Sequence, residues 1–177
     1  MNALPVLSDG RVLLRAQQER DLPAIEAGMH DPDVVRWIGR PWPIDEVLLR
    51  NEAAWSNGSP TFAICELDGP CVGLVWMNVV ERDPSVGYVG YWLLPAARGR
   101  GIATRAVRLL SSWVVRELGV CHLRLTTAPD NPRSQLVAER SGFRRVAADE
   151  SNEREKGQVV FALDGASMDD PRGAQRT

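Results

Sequence analysis

Two arginines and two glycines alternate just before a long amphipathic segment, and this spacing suits the binding of a diphosphate. Residues 98–101 read Arg-Gly-Arg-Gly, and the apolar period of residues 102–118 predicts a helix directly after them. The first turn of a helix presents unpaired N–H groups and a partial positive charge. Glycine lets an anion approach the backbone, and arginine adds countercharge. The sequence therefore predicts an anion cradle over residues 98–104.

The cradle does not match two common nucleotide motifs. A Walker P-loop requires Gly-Lys-Ser/Thr, and that triplet is absent from the chain. A dinucleotide fingerprint requires glycine or alanine where this chain has Thr104. The cradle also follows a predicted antiparallel meander instead of opening a βαβ unit.

A second polar cluster opens the next predicted helix. Asn131 is placed as the N-cap, and Pro132 occupies the first helical position. Ser134 lies three residues after the cap, where its hydroxyl either meets a ligand or only supports the first turn. The sequence leaves both roles open.

Together the two clusters resemble the GCN5-related N-acetyltransferase (GNAT) superfamily. The segment Arg98-Gly-Arg-Gly-Ile-Ala103 fills its acyl-CoA signature, Gln/Arg-x-x-Gly-x-Gly/Ala, and residues 90–95 resemble its fourth strand. Asn131-x-x-Ser134, followed by Ala-Glu-Arg-Ser-Gly-Phe at 138–143, resembles the branch of ribosomal-protein alanine acetyltransferases, the RimJ/RimL type. The resemblance covers nearly the whole predicted fold.

The resemblance implies an α+β GNAT fold, with a mixed, mostly antiparallel sheet of six or seven strands that splays between strands 4 and 5. Four or five helices flank this sheet. It also implies acetyl-CoA as co-substrate without a metal. Backbone groups of residues 92–94 would pair with the pantetheine arm, and amides of residues 98–104 would hold the diphosphate. The implied coenzyme contacts are Trp92, Leu93, Leu94, Arg98, Gly99, Arg100, Gly101, Ile102, Ala103, Thr104, Asn131 and Ser134.

The implied reaction transfers an acetyl group to a primary amine, by direct attack in a ternary complex. Ser134 is the candidate for protonating the departing sulfur; many family members use a tyrosine, yet neither Tyr88 nor Tyr91 lies on the last helix. Glu81 is the named candidate base, although a solvated surface charge explains it as well. Other carboxylates weighed for this role are Glu66, Glu150, Glu153 and Glu155.

The acceptor is either a peptide N-terminus or a small-molecule amine. Trp37 and Trp42, in and after the second predicted helix, are the candidate acceptor-binding residues. Two alternatives stay open. One is a small-molecule, antibiotic or succinyl-CoA-dependent acyltransferase, and the other is a non-catalytic CoA-binding module.

The pattern of apolar residues predicts the elements that must position these clusters. Predicted strands cover residues 11–15, 61–67, 71–80, 86–94, 122–128, 144–148 and 158–163. Predicted helices cover 21–28, 32–38, 43–57, 101–118 and 132–142, and residues 81–85 form a loop. We expect one domain over residues 1–163 and a disordered tail over 164–177.

Composition limits the function classes. The chain has 177 residues, 25% of them charged, and a net charge of −2, which does not favour nucleic-acid binding. No apolar stretch is long enough to span a membrane, and the N-terminus lacks a signal-peptide pattern. The three cysteines have no metal-ligand spacing and are expected to be free thiols of a reduced, cytoplasmic protein. The resemblance to the GNAT superfamily implies either a monomer or a homodimer.

Overall fold

The computed structural model describes residues 5–39 and 43–167 and shows one mixed sheet of eight strands. The strands are β1 Leu7–Ser8, β2 Val12–Arg15, β3 Thr61–Glu66, β4 Cys71–Val80, β5 Asp83–Leu93, β6 His122–Thr127, β7 Arg144–Val146 and β8 Val159–Asp164. Their order in space is β1-β2-β3-β4-β5-β6-β8-β7. Neighbouring strands are antiparallel except β5 and β6, which are parallel. The predicted α+β mixed sheet is confirmed.

Five α-helices flank the sheet in the described part of the chain. They are α1 Leu22–Met29, α2 Pro32–Ile38, α3 Val47–Ser56, α4 Ile102–Leu118 and α5 Pro132–Arg140. Both predicted N-caps are confirmed: the Asp31 carboxylate accepts from the Val34 N–H at 3.0 Å, and the Asn131 side chain accepts from the Ser134 N–H at 3.2 Å. None of these helices is long and apolar enough to cross a membrane.

Two strand predictions differ from the structure. The two-residue strand β1 was not predicted, because so short a segment carries no apolar alternation. The prediction of a loop over residues 81–85 holds only for residues 81 and 82: Val80 pairs with Asp83 after a register shift, so β4 and β5 form a tight hairpin. At the other end, Gly165–Ser167 form a short 3-10 turn after β8, and residues 168–177 lie outside the described part.

The two faces of the sheet carry separate apolar cores. Side chains alternate along β5, so Val89 and Leu93 join the core beneath α4, while Trp92 joins the core beneath α1, α2 and α3. A Cβ on Gly28 of α1 would lie 2.3 Å from the Trp92 ring, so glycine lets this helix sit directly on the indole. We call these the α4 face and the α2 face.

The sheet opens between its two parallel strands. β5 pairs with β6 only where Val86–Tyr88 meet His122–Arg124. Beyond these pairs, β5 continues to Leu93 and β6 to Thr127 without bonding to one another, while β6 pairs along its other edge with β8. This split joins the two faces of the sheet and sets the site described next.

Candidate active site

A cavity of about 1120 Å³ occupies the split between β5 and β6 and opens toward the head of α4. Its walls come from α2, β4, β5, the start of α4, the end of β6 and α5. The volume is slightly above the roughly 300–1,000 Å³ that is usual for a small-molecule site. Most of the predicted coenzyme-binding residues meet here: Trp92, Leu93, Arg98, Gly99, Gly101, Ile102, Ala103, Thr104, Asn131 and Ser134.

The hydrogen-bond direction of β5 decides which of its backbone groups face the cavity. The Leu94 N–H donates to the Val72 carbonyl of β4 at 2.9 Å, whereas on the opposite side the Ser85 carbonyl accepts from Cys121 at 2.9 Å. Because these directions alternate along a strand, the amides of Tyr91 and Leu93 point into the split. Of the three predicted pantetheine contacts, only Leu93 presents its backbone there, and Leu94 does not line the cavity.

The turn at residues 98–101 has the geometry that the sequence predicted for an anion cradle. Gly99 and Gly101 adopt φ values of +75° and +77°, which side chains disfavour. Gly101 is the N-cap of α4 and has no side chain to bond the first turn, and the first intrahelical bond is donated by Arg105. The amides at the start of α4 are therefore free to meet an anion beside the cavity.

Neither arginine of the turn extends into the cradle as a free positive charge. Arg98 pairs with Asp31 at 2.5 Å and Asp33 at 2.8 Å, and its Nε donates to the Leu93 carbonyl at 3.0 Å. Arg100 is turned away from the cavity and pairs with Glu66 at 2.6 Å. Burial alone would raise the pKa of Asp31, but bonds from Arg98 and the Val34 amide outweigh it and hold that pKa below the ordinary value.

On the α4 face, the Tyr91 hydroxyl donates to Ser134 Oγ at 3.2 Å. Asn131 caps α5 and bonds the Ser134 N–H, so the Ser134 hydroxyl is left to face Tyr91 and the cavity. Burial raises the pKa of Tyr91, an effect that the Ser134 bond partly opposes. Sequence reasoning missed this tyrosine because it searched only the last helix. The alternation of β5, which puts Tyr91 on the same face as Val89 and Leu93, was the available signal.

On the α2 face, aromatic side chains line the cavity. Trp37 projects from α2, and Trp76 and Asn78 of β4 are register partners of Gly90 and Tyr88. A Cβ on Gly90 would lie 2.4 Å from the Trp76 ring, so this glycine lets the indole lie across β5 beside the split. The second predicted acceptor residue, Trp42, lies outside the described residues.

The Tyr88 hydroxyl is hydrogen-bonded to a buried carboxylate. Glu155, in the loop before β8, is only 3% exposed. Its Oε1 accepts from the Tyr88 hydroxyl at 2.7 Å, its Oε2 accepts from the Asp149 N–H at 3.0 Å, and Asn152 donates to the Tyr88 oxygen at 2.8 Å. Burial, and then the bond to Glu155, raise the pKa of Tyr88.

None of the carboxylates weighed as bases lines the cavity, and Glu155 reaches it only through Tyr88, which does. Glu81, the named candidate, lies in the exposed turn of the β4–β5 hairpin, outside the cavity lining. Glu66 is held by Arg100, and Glu150 and Glu153 are exposed. Only the fold could distinguish Glu155 from its neighbours, because the loop that buries it carries no sequence pattern.

Comparison with known proteins agrees with this geometry. The family model described as an acetyltransferase (GNAT) domain matches residues 11–144. A protein from Bacillus subtilis named putative ribosomal N-acetyltransferase YdaF is 30% identical over 43% of this chain. An aminoglycoside N(6')-acetyltransferase type 1 from Klebsiella pneumoniae is 27% identical over 78% of this chain and 76% of its own length. The chain spans 42% of the length of YdaF.

One solved structure shows the shared fold. RimJ from Mycobacterium smegmatis, in complex with CoA-disulfide, superposes with a TM-score of 0.76 at 22% identity, over 94% of this chain and 88% of its own. The match to the family model covers most of the chain, and the split sheet and glycine turn fall inside it. The chain belongs to the GNAT acetyltransferase family, as its motifs predicted.

Proposed function

We propose that this protein transfers the acetyl group of acetyl-CoA to a primary amine, by direct attack within a ternary complex. The observation that carries the proposal is the split between β5 and β6, which runs from the glycine turn at the head of α4 to the two tyrosines of β5. An extended thioester fits such a slot, and an amine can reach its carbonyl from the other face of the sheet.

Free amides support the binding of the coenzyme. Amides at the start of α4, between Gly99 and Thr104, hold the diphosphate at the helix N-terminus. The Tyr91 and Leu93 amides, which face the split, pair with the pantetheine arm as a neighbouring strand would. Thr127 lines the same cavity, and its buried hydroxyl oxygen has no hydrogen-bond partner among the described residues, so it offers a further polar contact to the arm.

In the transfer step, the amine nitrogen bonds to the thioester carbonyl carbon and the carbon–sulfur bond breaks. The split-facing Leu93 N–H is placed to stabilise the negative charge that develops on the carbonyl oxygen. Ser134 gives its proton to the departing thiolate, Tyr91 replaces that proton, and Tyr91 regains one from solvent before the next turnover. The effect is modest, because a thiol of pKa about 8.5 leaves well without assistance.

The attacking nitrogen loses its proton on the α2 face. As the new bond forms, the nitrogen becomes acidic; its proton passes to the Tyr88 oxygen while the Tyr88 proton passes to Glu155. A terminal amine has a pKa of about 7.7–8.0, so a fair fraction is already neutral at pH 7.5. We therefore assign Glu155, through Tyr88, the role of base that was first considered for Glu81.

The acceptor is a peptide N-terminus or a small-molecule amine. Similar proteins with such named activities are a ribosomal-protein-serine acetyltransferase of Escherichia coli and the aminoglycoside enzyme of Klebsiella. The paired Tyr91 and Ser134 weigh against a non-catalytic CoA-binding module, since coenzyme binding alone does not require them. The buried free thiols of Cys65 and Cys71 support a reducing, cytoplasmic location.

Thiol release tests the proposal directly. Acetyl-CoA and succinyl-CoA are offered with N-terminal peptides, polyamines and aminoglycosides, and free CoA is measured alongside thermal stability. We expect acetyl-CoA to raise the melting temperature and one amine class to release CoA. Stabilisation without release from any amine would support the non-catalytic module instead, and the absence of both would refute the coenzyme site.

A further inference from the structure

The charges around the cavity narrow the class of acceptor, an inference that rests on the proposed function. Two carboxylates line the cavity among the described residues, and each is already neutralised: Asp33 by Arg98 at 2.8 Å, and Asp130 by Arg36 at 2.7 Å. A polycationic acceptor would meet no free carboxylate on these walls. The cavity lining instead carries arginines that form no ion pair within residues 5–39 and 43–167: Arg133, Arg140 and Arg154.

These three arginines divide between the two sides of the site. Arg133 and Arg140 belong to α5, which packs against α4 on the side where the coenzyme phosphates are expected. Arg154 lies at the opposite end, where its guanidinium carbon sits 5.3 Å from the centre of the Tyr88 ring. Among the residues that the structure describes, Arg154 is therefore the arginine without an ion pair that an acceptor on the α2 face would meet.

The position of Arg154 is fixed by the loop that builds the base. Its backbone N–H donates to the Asn152 side chain at 3.0 Å, and Asn152 in turn donates to Tyr88. The next residue is the buried Glu155. A single segment thus places the Glu155 carboxylate against the Tyr88 hydroxyl and the Arg154 guanidinium over the Tyr88 ring.

The contact between Arg154 and Tyr88 sets the distance that the acceptor must span. The amine passes its proton to the Tyr88 oxygen, and the guanidinium carbon of Arg154 lies 5.3 Å from the centre of the Tyr88 ring, so the amine and the guanidinium lie within about 10 Å of one another. An extended peptide covers about 3.3–3.6 Å per residue. A carboxylate on the second or third residue of a peptide would therefore reach Arg154 when the terminal amine lies at the thioester. Trp37 and Trp76 would flank the residues between.

We propose that the acceptor is the N-terminus of a peptide with an acidic second or third residue, and that Arg154 binds that carboxylate. The contact acts in binding and orientation, so it should appear in kcat/KM for the acceptor and leave coenzyme affinity unchanged. Added salt should weaken it, because Arg154 is exposed.

The test uses amidated tetrapeptides that share their first two residues and differ only at the third: glutamate, glutamine or lysine. With acetyl-CoA, we expect kcat/KM to fall in that order, by about tenfold from first to last. Arg154→Glu should invert the order. Arg116→Glu, an equal charge change on the exposed end of α4, should leave it unchanged. If Arg154→Glu proves unstable, Arg154→Gln should abolish the preference without inverting it.

The outcomes separate this inference from the proposed function. Equal rates with the three peptides, a preference for lysine, or kanamycin as the best acceptor would overturn the inference while the acetyltransferase assignment stands. A preference that persists in Arg154→Glu would also overturn it. No release from any acceptor, with acetyl-CoA still stabilising the protein, would refute the proposed function and the inference together.

Discussion

Tyr88 and Tyr91 lie on one strand but serve opposite faces of the sheet, and their partners differ in chemistry. Tyr88 donates to a buried carboxylate, whereas Tyr91 donates to a serine hydroxyl. The first arrangement can take up a proton, and the second can deliver one. A parallel pair of strands that separates just after Tyr88 exposes both tyrosines to the same cavity. In the proposed reaction, the split between β5 and β6, more than any single residue, separates proton uptake from proton delivery.

The largest loss of activity should come from blocking coenzyme binding, because both tyrosines are proposed to act on the bound thioester. Gly101→Asp places a carboxylate at the head of α4, where the diphosphate is expected, and should weaken coenzyme affinity by at least about 100-fold. Gly101→Asn introduces nearly the same shape and the same backbone strain at φ +77° without the charge, and should cost far less. Calorimetry with CoA measures both. Equal losses would show that strain, not anion binding, explains the effect.

Next in size should be the loss of the carboxylate on the α2 face. Glu155→Gln keeps the shape but cannot accept the amine's proton, so kcat/KM should fall about 100-fold with coenzyme affinity unchanged. Glu153→Gln, in the same loop but with an exposed side chain, is the matched control. Turnover is measured by thiol release. If Glu155→Gln turned over at the wild-type rate, Tyr88 and Glu155 would not be the proton acceptor, and the proposed difference between the two tyrosines would be wrong.

Substitutions on the α4 face should lower the rate of acetyl transfer less than the loss of Glu155 does. Ser134→Ala and Tyr91→Phe should each lower kcat about tenfold, and the double variant should lose little more, because the two hydroxyls act in one chain. The pKa of Tyr91 is raised above the ordinary 10.0, so this hydroxyl stays protonated as the pH rises from 7 to 9 and should add no step to the pH–rate profile. Fully additive losses would show that the two hydroxyls act independently.

These sites differ in how far the sequence could predict them. The cradle is local: glycines at 99 and 101 and the start of α4 are adjacent in the chain, so the motif carries its own geometry. The Tyr91–Ser134 bond joins residues 43 positions apart, and only the crossing of β5 and α5 brings them together. Fold class and caps were therefore predictable, whereas the hydrogen-bond partners of the two tyrosines were not.

The two arginines of the acyl-CoA signature also have long-range partners that the sequence could not predict. From the sequence, Arg98 and Arg100 are equivalent countercharges, but distant carboxylates give them different positions. Asp31 and Asp33, at the start of α2, hold Arg98 beside the cavity, and Glu66, at the end of β3, turns Arg100 away from it. No local pattern encodes which carboxylate each arginine meets.

The smallest predicted effect concerns the link between the two faces. Arg98 belongs to the cradle but pairs with Asp31, the N-cap of the acceptor-side helix α2. Asp31→Asn keeps a good N-cap and removes only the charge, so it should lower the free energy of unfolding by about 1 kcal/mol at pH 7. Denaturant titration measures this difference.

The difference between wild type and Asp31→Asn should depend on pH in a defined direction. The folded-state pKa of Asp31 lies below 3.8, so its contribution is complete above that value and is lost as the pH falls through the folded pKa. A difference that stays constant down to pH 2 would show that the loss comes from capping or packing. If coenzyme affinity also falls, then α2 and the cradle are energetically coupled through Arg98, and the two sides of the split are not independent.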